Sequence, residues 1–335
     1  MREPDTTSAA ASSETERQRA YGIGRAVRML LGLRPRQFAS LLWTAYSDWS
    51  SHGVARLGAA LAYFTLFSIA PVLIVVTGIV GLFVGQAAAR GQVAPWLERL
   101  LSRDGAQAAQ LMLQQAATPA GGIVTTAIGL LTLFLGTSAL VNELRHSLNV
   151  VWRIQEPPSE AQGIFASVHG MLSDRAYAFL IVVGAGVLVL ASLVVSTAVT
   201  AAAAYFGDWL PIPAAGLQIA NFIVAFGLLT MMFTLVYKTV PDANVAWGDA
   251  WVGALVTALL FDLGTMALST FLGTAAGASV YGTAASVLAL LMWVYYSAQV
   301  FFFGAEVTRI FADTYGARIV PHHHSLGGIW RRRPA

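Results

Sequence analysis

From Leu57 to Ala89 the chain carries no charged residue, and the centre of that run reads AALAYFTLFSIAPVLIVVTGIVGLFVG. A helix needs about 20 apolar residues to cross roughly 30 Å of hydrocarbon, so the pattern predicts a first span near 59–85. A second uncharged run, GGIVTTAIGLLTLFLGTSALV, gives a span over 121–141. The third lies between Arg175 and Asp208 (176–206) and the fourth between Asp208 and Lys238 (214–237). Between Asp249 and Glu306 only Asp262 is charged, and the stretch is too long for one helix. The Gly-rich FLGTAAGASVYG divides it into spans five (250–271) and six (280–304). Backbone groups in lipid must be satisfied internally, and alternating strand patterns are absent, so these are helices. The prediction is an all-α, polytopic membrane bundle of six spanning helices.

The segments outside the spans are small. The opening stretch MREPDTTSAAASSETERQ is polar and Ser/Thr-rich, a composition expected to be disordered. We therefore divide the chain into a disordered, basic N-terminus (1–35), the six-helix domain (36–315) and a tail (316–335). A signal peptide is not expected as a reading of the first span, because about 55 residues precede it and its apolar core is too long for an h-region. Within RQFASLLWTAYSDWSSHGVARL, residues Phe38, Leu41, Leu42, Ala45, Tyr46 and Trp49 fall at helical spacing between arginines. Two readings stand: an interfacial helix lying on the cytoplasmic leaflet, or a helix packed on the bundle. The largest loop, 86–120, contains QAAQLMLQQAA and is expected to cap the opposite end of the bundle. No segment is long enough for an independent catalytic domain.

Composition agrees. Of 335 residues, 56% are apolar and 11% charged, against about 25% charged in soluble domains. Cysteine is absent, which removes disulfides, thiolate metal sites and cysteine nucleophiles together. The isoelectric point of about 9.3 is basic, and the placement of that charge matters more than its total. Lys and Arg number eight before span one, three after span two, one after span four and five after span six. The opposite loops hold only three, all after span one. Seventeen against three places both termini in the cytoplasm by the positive-inside rule.

Four stretches of this pattern resemble the YihY/BrkB family of bacterial inner-membrane proteins. They are AALAYFTLFSIAPVLIVV with Tyr63 and Pro71, NELRHSLNVVWRI, TVPDANVAWGDAWVGALVTALLFDLG, and VYGTAASVLALLMWVYYSAQVFFFGAEVTRI. Together they cover much of residues 40–312. The resemblance implies an inner-membrane protein with six spans, and it implies no settled activity. Members have carried an older ribonuclease label. The residues argue against it, because the cytoplasmic acids are scattered, no HxHxDH-type cluster occurs, and basic–aromatic RNA-binding strands are missing. We expect no enzyme activity, no cofactor, no metal site and no nucleic-acid partner. The expected partners are membrane lipids, with a second copy of the chain as a further candidate.

Asp262 stands out chemically. It lies thirteen residues into span five, roughly 19 Å along the helix axis and so near the midplane. An acid there costs about 2.5–3.5 kcal/mol on insertion scales, and no Lys or Arg lies within any other span. It must be protonated, face a hydrated cavity, or accept hydrogen bonds from neutral donors. Thr265, Gln299, Ser297 and Tyr295 are the candidate donors. A proton relay is the functional reading, and a neutral acid tying helices together is the structural one. Pro71 removes a backbone hydrogen bond from span one; such breaks line transporter sites or serve packing alone.

Asn142, Arg145 and Asn149 share a helix face at i, i+3, i+7. Arg145 and Arg153 are candidates to hold an anionic head group, or to anchor the helix with Trp152 in the interfacial belt. Glu306 and Arg309 form an i, i+3 pair expected to steady the exit of span six or contact another cytoplasmic segment. Small residues, among them Gly253 and Gly264, are read as packing positions. The His322–His324 tract lacks a nearby acidic partner and is not read as a metal site. Two functions remain in play: a transporter or translocase of lipid or another envelope component, with Asp262 as the proton-coupling site, and a non-transporting scaffold or assembly factor. A membrane-embedded lipid-modifying enzyme ranks below both.

Overall fold

The computed structural model describes residues 22–66, 68, 139–154, 184, 187, 214–274 and 284–321. Its helices are α1 (Ile23–Leu31), α2 (Pro35–Ser51), α3 (Val54–Leu66), α4 (139–151), α5 (Ala214–Thr239), α6 (Trp247–Thr274) and α7 (Ala284–Thr314). A two-residue antiparallel pair, β1 (Ala243–Asn244) with β2 (Val320–Pro321), is the strand content among the described residues. The all-α bundle is therefore observed. Ile219–Thr239, Trp247–Ala267 and Leu290–Thr314 are long and apolar enough to cross a membrane, and they fall on spans four, five and six. The start of span one is α3. Spans two and three lie almost wholly outside the described residues, as do Pro71, the 86–120 loop, most of the Gly-rich turn and the His322–His324 tract.

Helix α6 packs between α5 and α7, and the α6–α7 contact is close because both helices present a glycine followed by a threonine four residues on. A β-carbon at Gly253 would collide with the Thr308 hydroxyl and the Gly304 carbonyl; one at Gly304 would collide with the Thr257 hydroxyl. The two threonines donate back to the glycine carbonyls of their own helices at 2.8 and 2.9 Å. Tyr237 of α5 closes the third side, its buried hydroxyl donating to Phe301 O at 2.6 Å and lying 2.8 Å from Thr257 Oγ1. Small residues thus let three backbones approach where no water competes for their polar groups. Leu148, Val151, Trp152, Tyr237 and Phe302 form the centre of the main core.

A second core sits beneath α1 and α2, where Ala26, Leu41 and Ala45 pack on Val252, Val307 and Phe311. Helix α2 begins cleanly: Pro35 occupies the first helical position and the Arg34 amide donates to Gln37 Oε1 at 2.9 Å. It stops at His52, and Gly53 takes the left-handed φ of +64° that turns the chain into α3.

Two expected boundaries move. Residues 23–31 are helical although they fall in the stretch assigned to a disordered N-terminus, because Ala26 and Leu30 form an apolar i, i+4 stripe that α6 and its neighbours bury. The tail assigned from residue 316 begins with ordered chain, because Asp249 Oδ2 accepts the Ala317 amide at 3.0 Å and Val320–Pro321 pairs with β1. Helix α7 also outruns span six by ten residues, to Thr314, and that extension carries the polar chemistry described next.

Candidate functional site

Asp262 is half-buried on α6. On one side of it, Ala258, Phe261 and Thr265 face the packed interior; on the other, Leu259, Leu263 and Met266 are exposed. The carboxyl therefore stands at the seam between the packed and open faces of the helix. No hydrogen bond or ion pair to it occurs among the described residues. The donors expected from the sequence are placed elsewhere. Thr265 Oγ1 donates to Phe261 O at 2.8 Å and Ser297 Oγ to Trp293 O at 2.8 Å, the back-bonding that hydroxyls adopt inside helices. Tyr295 is exposed on α7. Gln299 points at α3, where it fills the space a side chain at Gly58 would need. Its amide nitrogen and oxygen are both buried and have no hydrogen-bond partner among the described residues.

The densest polar cluster lies at the end of α7. Glu306 is fully buried, at 0% exposure. Arg309 reaches its Oε2 through Nε and a terminal nitrogen, both at 3.0 Å. The same guanidinium pairs with Asp48 of α2 and lies 3.6 Å from Asp313. His52, at the end of α2, contacts the other Glu306 oxygen through Nδ1. Arg153 Nε donates to His52 Nε2 at 3.2 Å. A guanidinium nitrogen can only donate, so His52 Nε2 is the acceptor and Nδ1 carries the proton given to Glu306. The imidazole thereby links an exposed arginine to a buried carboxylate. Every oxygen of Glu306 is engaged, which is the condition for keeping a charge out of water.

Of the head-group candidates, Asn142 is exposed and Arg145 half-buried on α4. Asn149 is buried and acts as a clamp: its Nδ2 donates to Asp242 Oδ2 at 2.9 Å and its Oδ1 accepts the Asp242 amide at 3.1 Å. Arg153 is largely exposed, adopts a left-handed φ of 54°, and lies 3.6 Å from Asp48. Trp152, read from the sequence as an interfacial residue, is instead buried, its Nε1 donating to Ala305 O at 2.9 Å. Asn149 and Arg153 therefore have different partners, Asp242 for the first and His52 with Asp48 for the second. The sequence pairing of Glu306 with Arg309 is present, and its contact with another segment is α2. The sequence reading missed Asp48 and His52, because nothing in their spacing points to residues more than 250 positions away. Among the described residues no group of three or more His, Asp or Glu side chains is placed to hold a metal ion.

Comparison with known proteins gives a consistent match. A family model described as virulence factor BrkB covers residues 45–326. A UPF0761 membrane protein of Stenotrophomonas maltophilia is 27% identical over 283 residues, taking in 83% of this chain and 62% of the relative. One from Alcanivorax borkumensis is 27% identical over 299 residues, covering 85% of this chain and 65% of its own. One from Mannheimia succiniciproducens is 24% identical over 278 residues, covering 83% and 91%. The chain thus spans less than two thirds of the length of the first two relatives. No solved structure matches.

Proposed function

The chain belongs to the virulence factor BrkB family and is an integral membrane protein, and from that premise we propose that it is a translocase for a lipid or a similar amphipathic envelope component. Asp262 carries the proposal. An acid at the seam of a membrane helix, beside Leu259, Leu263 and Met266 and with no partner among the described residues, is costly in hydrocarbon. A hydrated path along that seam relieves the cost and gives the carboxyl a proton to exchange. The cargo class follows from charge: the bundle offers few ionic groups for a strongly polar solute, while the basic termini suit anionic head groups. The family resemblance implies the bacterial inner membrane, and the charge bias favours an orientation with both termini cytoplasmic.

The decisive measurement is leaflet exchange of labelled lipid in vesicles holding the purified protein. We expect exchange well above the protein-free rate, and a fall toward the protein-free rate for Asp262→Asn at equal protein levels. Exchange no faster than in empty vesicles removes the proposal. Because the native chain has no cysteine, Asp262→Cys tests the path separately. Labelling by an impermeant thiol reagent supports a hydrated seam, and complete protection favours the scaffold reading.

A further inference from the structure

Helices α1 and α2 have two sides, and only one is used by the bundle. Along α2, Leu41, Ala45, Asp48 and His52 follow one stripe and meet α7 and its neighbours. On the opposite stripe stand Arg36, Ala39, Trp43 and Tyr46, all exposed, at the i, i+3, i+7, i+10 spacing of a single helix face. Trp43 is 72% exposed and Tyr46 51%, with ring centroids 5.9 Å apart. At the α1–α2 turn Leu31 is 79% exposed. Four arginines, Arg25, Arg28, Arg34 and Arg36, are exposed around this apolar face, and from Gly22 to Ser47 the chain holds no acid at all. Among the described residues none of the four makes an ion pair.

We propose that this face is a docking surface for anionic lipid head groups, with Trp43 and Tyr46 seated at the membrane–water boundary and Arg25, Arg28, Arg34 and Arg36 on the phosphates. Four observations favour a membrane over a protein partner. Helix α2 ends at His52, two residues before the helix that opens the first apolar run, so the chain leads from this face directly into the first span. Trp and Tyr are the side chains that settle at that depth. An uninterrupted basic field attracts an anionic leaflet, each arginine near the surface being worth about a fivefold preference. Finally, the Arg309–Asp48 pair and the Leu41/Ala45 contacts hold α2 against the bundle, so the face cannot turn inward to hide its aromatics. The docking does not depend on translocation; a scaffold would hold its lipid collar equally well.

The test uses the full chain with Ser47→Cys, on the exposed side of α2, carrying a nitroxide. The labelled protein is placed in nanodiscs of phosphatidylcholine alone, or of phosphatidylcholine and phosphatidylglycerol at about 7:3. We expect the label in the mixed discs to be reached by oxygen and shielded from a water-soluble nickel complex. In phosphatidylcholine alone, or at high salt, that shielding should fall. Arg28→Gln and Arg36→Gln should each lower the docked-to-undocked ratio about fivefold while the thermal unfolding midpoint stays put, since both side chains are exposed. Trp43→Ser should return the label to water. A label equally open to nickel in both discs overturns the proposal, as does shielding indifferent to salt and to both arginines. A label that becomes shielded only when soluble cell protein is added also overturns it, by showing a protein partner in place of lipid.

Discussion

Glu306 shows how much one residue can depend on others far away in sequence. Its carboxylate has no exposed surface and is held by Arg309 on its own helix and by His52 from α2. Removing one member of a buried pair leaves the other charged and unsolvated, at a cost of about 3–5 kcal/mol. Arg309→Met should therefore lower the free energy of unfolding in mixed micelles by about that amount, and Arg309→Met with Glu306→Leu should recover most of the loss. A single variant as stable as the parent would mean that water already reaches the carboxylate. Asp262 is the opposite case. The sequence locates it, and its isolation from any cation was legible there too, but its neighbours were not. Hydroxyls at Thr265 and Ser297 lie at suitable spacing, yet their own-helix carbonyls are nearer and always available. Spacing along a chain identifies which groups could meet; it does not say which competing acceptor wins.

At the scale of elements, the α6–α7 contact makes the sharpest demand on the sequence. Each helix offers a Gly–Thr pair at i, i+4, Gly253 with Thr257 and Gly304 with Thr308, and each glycine receives the other helix's threonine. A valine at either glycine must push the helices apart, and overpacking of this kind costs about 1–3 kcal/mol. Gly253→Val and Gly304→Val should each lower the thermal midpoint of the solubilised protein. Gly227→Val on α5, where a β-carbon meets nothing within 4 Å, should change it little. Equal midpoints for all three would show that the close approach is not needed. Spans four to six were readable because long uncharged runs have few interpretations in a bilayer. Helix α1, the extension of α7 and the β1–β2 pair were not, because each is stabilised by a distant partner: Ala26 by the α6 side of the second core, Glu306 by α2, and Val320 by Asn244.

For the whole molecule, the contacts between segments constrain how the chain threads a membrane. Four stretches meet at one end of the bundle: the end of α2, the end of α4, the α5–α6 connection and the end of α7. Asp48 pairs with Arg309, Arg153 reaches His52, Asn149 clamps Asp242, and Ala243 pairs with Pro321. Chain that leaves one face of a bilayer and returns to it has crossed an even number of times. The expectation is that 54–148, 154–239 and 247–314 each cross an even number of times, and each contains two of the apolar runs found in the sequence. Parity puts these four stretches on one common side, and the charge bias, with Arg153, Lys238, Arg309 and Arg318 among its seventeen basic residues, predicts that this side is the cytoplasm. The expected result is clear-cut in a chain without native cysteine. Ser12→Cys and Ser325→Cys should be protected from an impermeant thiol reagent in intact spheroplasts and labelled after lysis, whereas Ser102→Cys should be labelled from outside. Opposite behaviour of the two terminal positions would require an odd number of crossings and would sink this threading.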